Sequence, residues 1–334
     1  MTIKTIAEKA HVSVSTVSRV LNGKPDVNQE TRDKVLGVIE ELKYQPSGTA
    51  RNLALQRTNV IGFLVRDLGD ANFPELARGI VASARDRGYT VMFFDSELNP
   101  EMEVEATRVM ESKEVDGIIV PFLDEGLAEL DWLHRQGLPV VRVYREHESP
   151  ELPTIALDNV GSGFSATSHL VDKGHTRVAH LARDLAAFSG RERLQGYRMA
   201  LERHGIPFRP EYVVEQPPTR AGGQEGIKKL LEVEPRPTAV FVAKDLMAIG
   251  AYDVILDGGL EIPGDISIVG HDDIDAATVV RPNLTTMKTF RYQLGVAAVN
   301  LLFEEIVTGP GRPKEVFFTP QLVERDSVAP PSDM

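Results

Sequence analysis

The N-terminal run Thr2-Ile3-Lys4-Thr5-Ile6-Ala7 to Val12-Ser13-Val14-Ser15-Thr16-Val17-Ser18-Arg19-Val20-Leu21-Asn22 reads as two short helices joined by a tight turn. Thr2 and Ser13 are each placed to accept a backbone N–H at a helix start. Ile6 and Ala7 of the first helix, and Val17, Val20 and Leu21 of the second, have the spacing of faces packed on each other. Val14, Ser15, Thr16, Ser18 and Arg19 are then left facing outward. Small and hydroxyl side chains with one Arg at the start of an exposed helix suit insertion into a DNA major groove.

A third helix reads from an Asn28 cap through Thr31, Val35, Ile39 and Leu42 and supplies the apolar face that a three-helix headpiece needs. Tyr44-Gln45-Pro46 ends it, because Pro46 biases the preceding residue out of the helical region. Ser47-Gly48-Thr49-Ala50-Arg51-Asn52-Leu53-Ala54-Leu55 follows.

Taken together, Val12-Ser13, Thr16 through Asn22, and Ala50-Arg51 with Leu53 make the chain resemble the lac repressor family (LacI/GalR) of bacterial transcription regulators. The resemblance implies that Val14, Ser15 and Thr16 read base edges. Ser18, Arg19 and Asn22 then contact phosphates or flanking bases, and Thr2, Ile3 and Ser13 join the same contact set. It implies a hinge helix over residues 47–55 that carries Ala50 and Arg51 into the minor groove, where Leu53 wedges a central base step. Two protomers would place two headpieces on the half-sites of a pseudo-palindromic operator.

Composition bounds the alternatives. At 334 residues the chain is too long for one core. It has no cysteine, which excludes disulfides, thiolate metal sites and cysteine catalysis. No apolar run approaches the ~20 residues that span a bilayer. No signal stretch precedes the first helix, so the expected location is the cytoplasm, with no membrane partner. The net charge of −12 is unevenly spread: residues 1–58 hold 9 Lys and Arg against 6 Asp and Glu, and the remainder holds 28 against 43. A basic head on an acidic body confines phosphate attraction to the head.

Beyond the polar joint Gln56-Arg57-Thr58-Asn59, apolar runs alternate with helical stretches. Strands are expected over 60–65, 90–94, 117–120 and 139–144, and helices over 73–87, 100–112 and 126–136. The pattern restarts with strands over 154–157, 178–181, 238–243 and 266–270. The helices of this second series are expected over 164–173, 191–204, 221–232 and 245–256. A helix over 290–307 and a strand over 315–318 remain. Such alternation implies parallel sheets covered by helices, here two Rossmann-like subdomains in an α/β chain behind a helix-turn-helix headpiece.

The family resembled has a periplasmic-binding-protein fold with three crossovers between the subdomains. That implies a headpiece over 1–58, one subdomain over 59–160 and 289–321, and another over 161–288 and 322–334. It puts a small-molecule effector in the cleft between them, where ligands of open α/β sheets sit.

Gly161-Ser162-Gly163-Phe164-Ser165-Ala166 matches a dinucleotide fingerprint, with Asp184 further on. Asp158-Asn159-Val160 lengthens a turn that the fingerprint needs tight, so the glycines are read as helix-start glycines and no cofactor is expected. His169, His175 and His180 lack a metal-ligand face and read as solvated or capping histidines. Neither a nucleophile elbow nor a P-loop is present, which speaks against an enzyme.

Resemblance carries effector roles to Phe73 as a packing aromatic, to Ser189 and Arg193 as polar and guanidinium contacts, and to Asp272 as an acceptor. Tyr144 stands where many sugar-responsive members carry Asp, just before Arg145. Lys244 replaces a usual Asn, Pro218 an aromatic, and His271 a Tyr or Phe. Arg145, Arg193 and Lys244 together could present three cations, which favours an anionic effector such as a sugar phosphate over a neutral sugar. The C-terminal stretch has no heptads, so a homodimer is expected, not a coiled-coil tetramer. The expected function is that of a repressor of a carbohydrate-related operon. The alternatives are a solute-binding protein of the transport class and a cytoplasmic sugar-metabolising enzyme.

Overall fold

The computed structural model describes residues 2–21, 24–42, 57–112, 114–121, 127–145, 152–311 and 313–332. The chain divides into two compact units, Met1–Asn59 and Val60–Met334.

In the first unit, α1 (Ile3–Ala10), α2 (Val14–Leu21) and α3 (Gln29–Glu41) close around Ile6, Ala7, Ala10, Val17, Val20 and Val35. Ser13 caps α2, its Oγ accepting the Thr16 N–H at 3.1 Å, and Asn28 caps α3, its Oδ1 accepting the Thr31 N–H at 2.8 Å. Thr2 does not cap α1. Its hydroxyl turns instead to the Thr5 hydroxyl, 3.3 Å away. His11, at φ 51°, ends α1 and makes the tight turn into α2.

The second unit holds two six-stranded sheets. The first contains β1 (Val60–Val65), β2 (Thr90–Asp95), β3 (Gly117–Val120), β4 (Val140–Val143), β5 (Thr154–Leu157) and β11 (Glu315–Phe318), in spatial order β11-β5-β4-β3-β1-β2. All its pairings are parallel. The second contains β6 (Val178–Ala182), β7 (Val213–Glu215), β8 (Ala239–Val242), β9 (Ser267–Asp272), β10 (Thr285–Lys288) and β12 (Gln321–Val323), in order β12-β10-β9-β8-β6-β7. Only its β10–β12 pair is antiparallel. The chain steps between the sheets three times: from β5 to the helix before β6, from β10 to the helix before β11, and from β11 to β12.

The helices are α4 (Phe73–Arg85), α5 (Pro100–Ser112), α6 (Leu127–Arg135), α7 (Asn159–Asp172), α8 (Phe188–Arg203), α9 (Arg220–Leu231), α10 (Asp245–Asp257) and α11 (Arg291–Thr308). Alternation along β1 sends Ile61, Phe63 and Val65 to one core with α4 and α11, and Leu64 to another with Met110 and Leu130. The second sheet is likewise sandwiched, with Val240 and Val242 on one face and Ala239 and Phe241 on the other.

Several expectations need correction. α7 starts at Asn159, directly after β5, because Asp158 caps it by accepting the Gly161 N–H at 2.7 Å. The turn is therefore short. What speaks against a dinucleotide is that the Asp158 carboxylate occupies the helix N-terminus. Gly163 serves packing: a Cβ there would sit 2.2 Å from the Arg193 carbonyl oxygen on α8. β7, β10 and β12 were not foreseen, being three or four residues long with little apolar patterning. β12 begins at Gln321, opposite Lys288 of the second sheet.

His175 and His180 are core residues, not solvated ones. His180 donates from Nδ1 to the Phe241 carbonyl at 3.0 Å, and burial pushes its pKa down to about 4, so it is neutral. His175 reaches Thr238, Ser267 and the Ala329 carbonyl at 2.9, 3.1 and 2.9 Å. No helix among the described residues is long and apolar enough to cross a membrane.

Candidate DNA-reading helix and effector cleft

On α2, burial of Val17 and Val20 leaves Val14, Ser15 and Arg19 exposed and Thr16 and Ser18 half-buried. The Ser13 hydroxyl lies 2.7 Å from that of Ser15 and 2.8 Å from that of Thr16, which holds these small polar groups together at the helix start. Arg19 meets Asp26 at 3.4 Å with both side chains more than half exposed, a pair weak enough for a phosphate to displace. Thr2 is exposed and Ile3 half-buried at the start of α1. Asn22, Ala50, Arg51, Leu53 and the expected hinge helix over 47–55 lie outside the described residues.

In the second unit the candidate side chains gather at the carboxyl ends of the strands, as loops after parallel strands dictate. Phe73 opens α4 after β1 and stacks on Phe63 at 5.8 Å between centroids. Tyr144 and Arg145 follow β4, and Ser189 and Arg193 lie on the first turns of α8 after β6. Lys244 is the N-cap of α10 after β8, and Asp272 ends β9. Tyr144, Arg145, Ser189, Arg193, Lys244 and Asp272 border a narrow cavity of about 50 Å³. Phe73, with Tyr144, Lys244 and Asp272, borders an adjoining one of about 520 Å³.

Asp272 is the hub. Lys244 Nζ stands 3.2 Å from its Oδ2, Asn72 Nδ2 donates to that oxygen at 3.4 Å, and Arg291 approaches Oδ1 at 3.8 Å. Burial alone would raise the Asp272 carboxyl. Lys244, the His271 N–H and Arg291 outweigh it and hold the group well below the usual carboxylate range. Burial and the Arg193 charge push the His271 ring down to about 3, so a neutral His271 donates from Nδ1 to Asp272 Oδ1 at 3.2 Å. The backbone is strained here: Asp272 has φ 128°, Asp273 58° and Tyr144 70°, values that side chains other than glycine rarely adopt.

Behind the hub, Asp245 is fully buried. Thr286 Oγ1 donates to it at 2.5 Å and the Ile274 N–H at 3.0 Å. Burial and the Asp272 charge raise it to about 7 despite those bonds. Its carboxylate fills the space beside Gly270, where a Cβ would come within 2.2 Å.

The cations converge as expected, and each has a protein acceptor. Lys244 is paired with Asp272. Arg193 donates to Asn159 Oδ1 at 3.1 Å and to the Ala243 carbonyl at 2.7 Å. Arg145 is bound to Glu192, lies 3.7 Å from Glu315, and rests between the Phe188 and Phe317 rings at 5.2 and 5.8 Å. Sequence reasoning missed Asn72, Asn159, Glu192 and Arg291. Asn159 sat within the quoted crossover and Asn72 beside Phe73, so position could have found them. Arg291 gave no local signal, because it meets Asp272 only through the fold. Arg183, also missed, donates to Ser189 Oγ at 3.0 Å.

Residues 2–47 match the model of bacterial regulatory proteins of the lacI family, and residues 167–328 match that of periplasmic binding protein-like domains. Catabolite control protein A of Priestia megaterium is 36% identical over 90% of this chain and 91% of its own length. The ribose operon repressor of Escherichia coli (strain K12) is 32% identical over 98% of this chain and 99% of its own. Among solved structures, the lac repressor dimer bound to operator and the anti-inducer ONPF superimposes with a TM-score of 0.87. That match has 29% identity and covers 98% of this chain and 99% of that one. The chain belongs to the lacI family of bacterial regulatory proteins.

Proposed function

We propose that the protein is a sequence-specific DNA-binding transcription regulator, a repressor of a carbohydrate-related operon, switched by a small metabolite held in the cleft. It acts as a homodimer on a pseudo-palindromic operator, in the cytoplasm where that DNA lies, and it is not an enzyme. Residues 1–58 are its DNA-binding part, with a hinge helix over 47–55 whose Ala50, Arg51 and Leu53 engage the minor groove. Residues 59–160 with 289–321, and 161–288 with 322–334, are its two effector-binding lobes.

The observation that carries the reading is the outer face of α2, where small hydroxyl groups and Arg19 stand exposed over a buried Val17 and Val20. A helix so arranged fits a major groove: Val14, Ser15 and Thr16 face base edges, and Ser18, Arg19 and Asn22 face phosphates or flanking bases. Likeness to the operator-bound lac repressor dimer supports both the DNA partner and the dimer.

Phe73, Tyr144, Arg145, Ser189, Arg193, Lys244 and Asp272 hold the effector in this reading. Because Lys244 and Arg145 are each paired with a carboxylate, a neutral, hydroxyl-rich ligand fits better than an anion. Hydroxyls can exchange into the Asp272–Lys244 bonds without unbalancing the charge. Kinship with a ribose operon repressor supports the carbohydrate class.

Fluorescence anisotropy with DNA from upstream of the chain's own gene, against a scrambled duplex of equal length, tests the reading. Specific binding should be at least ~10³-fold tighter. Arg19→Ala should weaken it and reduce the slope of log affinity against log salt by about 0.9. Equal affinity for both duplexes would overturn it.

A further inference from the structure

Three consecutive residues at the end of β9 are held in three ways. Asp272 and Ile274 border the cleft cavities. Asp273, between them, reaches Arg325 instead, whose Nη2 donates to its Oδ1 at 2.5 Å. The Ile274 N–H is taken up by the buried Asp245 carboxylate at 3.0 Å. This is also the strained turn, with φ 128° at Asp272 and 58° at Asp273. Such a backbone persists only where its surroundings over-determine it.

Arg325 supplies much of that hold. It lies just past β12, and its own backbone is fixed, its N–H donating to Thr285 Oγ1 at 2.9 Å. Its Nη1 donates to the Leu284 carbonyl at 2.8 Å while Nη2 grips Asp273. A guanidinium tethered in this way to the start of β10 sets where Asp273 stands. The two side chains are only 17% and 13% exposed, so solvent screens the pair far less than a surface one. Lys288 also approaches Asp273, at 3.8 Å, but it is half exposed and adds little. Arg291 donates to the Asp272 carbonyl from the far side of the crossover. With its neighbours pinned, Asp272 can present its carboxylate to a ligand without first being ordered, and that ordering cost is saved on binding.

We propose that Arg325 is a positioning residue for effector binding: through Asp273 it holds the strained turn that aims the Asp272 carboxylate into the cleft. Neither Arg325 nor Asp273 lines either cavity, so the support takes none of the ligand's space. The inference rests on the reading of this cleft as a carbohydrate effector site. It adds that a pair outside the cavity sets the affinity.

The test is calorimetric titration of the full chain with free aldopentoses and aldohexoses, in the wild type, Asp273→Asn, Arg325→Gln and the double variant. Each single variant should weaken the tightest sugar about tenfold, as losing a group that orients a ligand-binding side chain does at metal sites. The double variant should bind no worse than the worse single one, because both changes remove the same bond. Affinity for the upstream DNA without sugar should not change. In the sugar-free protein, amide hydrogen exchange over residues 272–278 should quicken in Asp273→Asn, a change that keeps the side chain's size, while exchange along β8 stays as it was. Sugar affinities equal to wild type, additive losses in the double variant, DNA binding lost alongside, or unchanged exchange at the turn would each overturn the inference and leave the carbohydrate reading standing. Binding of no sugar by the wild type would overturn the carbohydrate reading, and exchange at the turn would then decide the inference alone.

Discussion

The two lobes of the second unit are built alike and equipped differently. Ranked by order along the chain, the strands of each sheet run 2-1-3-4-5-6 in space, and each sheet is sandwiched between two apolar clusters. At the carboxyl ends the likeness stops. The first lobe presents the rings Phe63, Phe73 and Tyr144 at the cavity wall, beside Asp70, Asn72 and Arg145. The second presents Arg183, Ser189, Arg193, Lys244 and Asp272, with the aliphatic Leu246 and Ile274. One topology thus supplies the cavity's rings in one lobe and its Lys244–Asp272 pair in the other. The difference lies in the few residues that follow each strand, not in the central strands, which are buried in both lobes: β1 and β3 in the first, β6 and β8 in the second.

That contrast can be broken at its strongest point with Asp272→Asn. The change leaves Lys244 and Arg291 facing a neutral group, and unfolding in urea should show a loss of about 3–5 kcal/mol, as when a buried ion pair loses one partner. A loss under ~1 kcal/mol would mean that the second lobe's side of the cavity is held up by something else.

The shared architecture is sharpened by a matched pair. A Cβ at Gly79 would lie 2.1 Å from the Tyr292 carbonyl oxygen, and one at Gly163 lies 2.2 Å from that of Arg193. Gly79→Ala in the first lobe and Gly163→Ala in the second should each cost roughly 1–3 kcal/mol, measured as the shift in denaturant midpoint. If only one is costly, the lobes are less alike in packing than in topology.

Asp245 makes the stability of the second lobe depend on pH. Its carboxyl is raised from 3.8 to about 7, so the folded state binds the proton more tightly than the unfolded state. The stabilisation is complete below the unfolded value and is lost as the pH climbs toward 7, at no more than ~1.4 kcal/mol per pH unit. Asp245→Asn should flatten stability between pH 4 and 7 in urea titrations. Asp272, depressed, acts oppositely and costs stability as the solution is acidified. An unchanged slope in the Asn variant would place the titration elsewhere.

The smallest effect is a control outside both lobes. Ser13→Ala removes the cap of α2 and should cost the first unit about 1 kcal/mol by thermal melting, with the melting of the lobes untouched.

Much of this was legible beforehand. The α2 face was readable because Val17 and Val20 fall at helical spacing, and β1 and β3 because buried parallel strands are continuous apolar runs. β10 was not, since Thr285 and Thr286 look like a loop until the sheet buries them. Arg193, which borders the cleft, was marked by a motif, whereas Arg291, which backs Asp272, is brought there only by folding. Pairing was the least legible property. Nothing near Arg145 in sequence announces Glu315, 170 positions away, and the pairing of Lys244 with Asp272 is likewise made only by the fold.

The return of the chain to both sheets has a consequence for synthesis. β5, complete at residue 157, meets its neighbour β11 only at residues 315–318, and β10 meets β12 only at 321–323. The nascent protein therefore carries β5 and β10, strands that the finished fold buries, as open sheet edges for as long as the ribosome takes to reach the last strands. Such edges invite pairing with other chains. A product released before residue 315 would keep both edges bare, so premature termination, even very late in translation, should yield aggregates instead of a slightly shortened regulator.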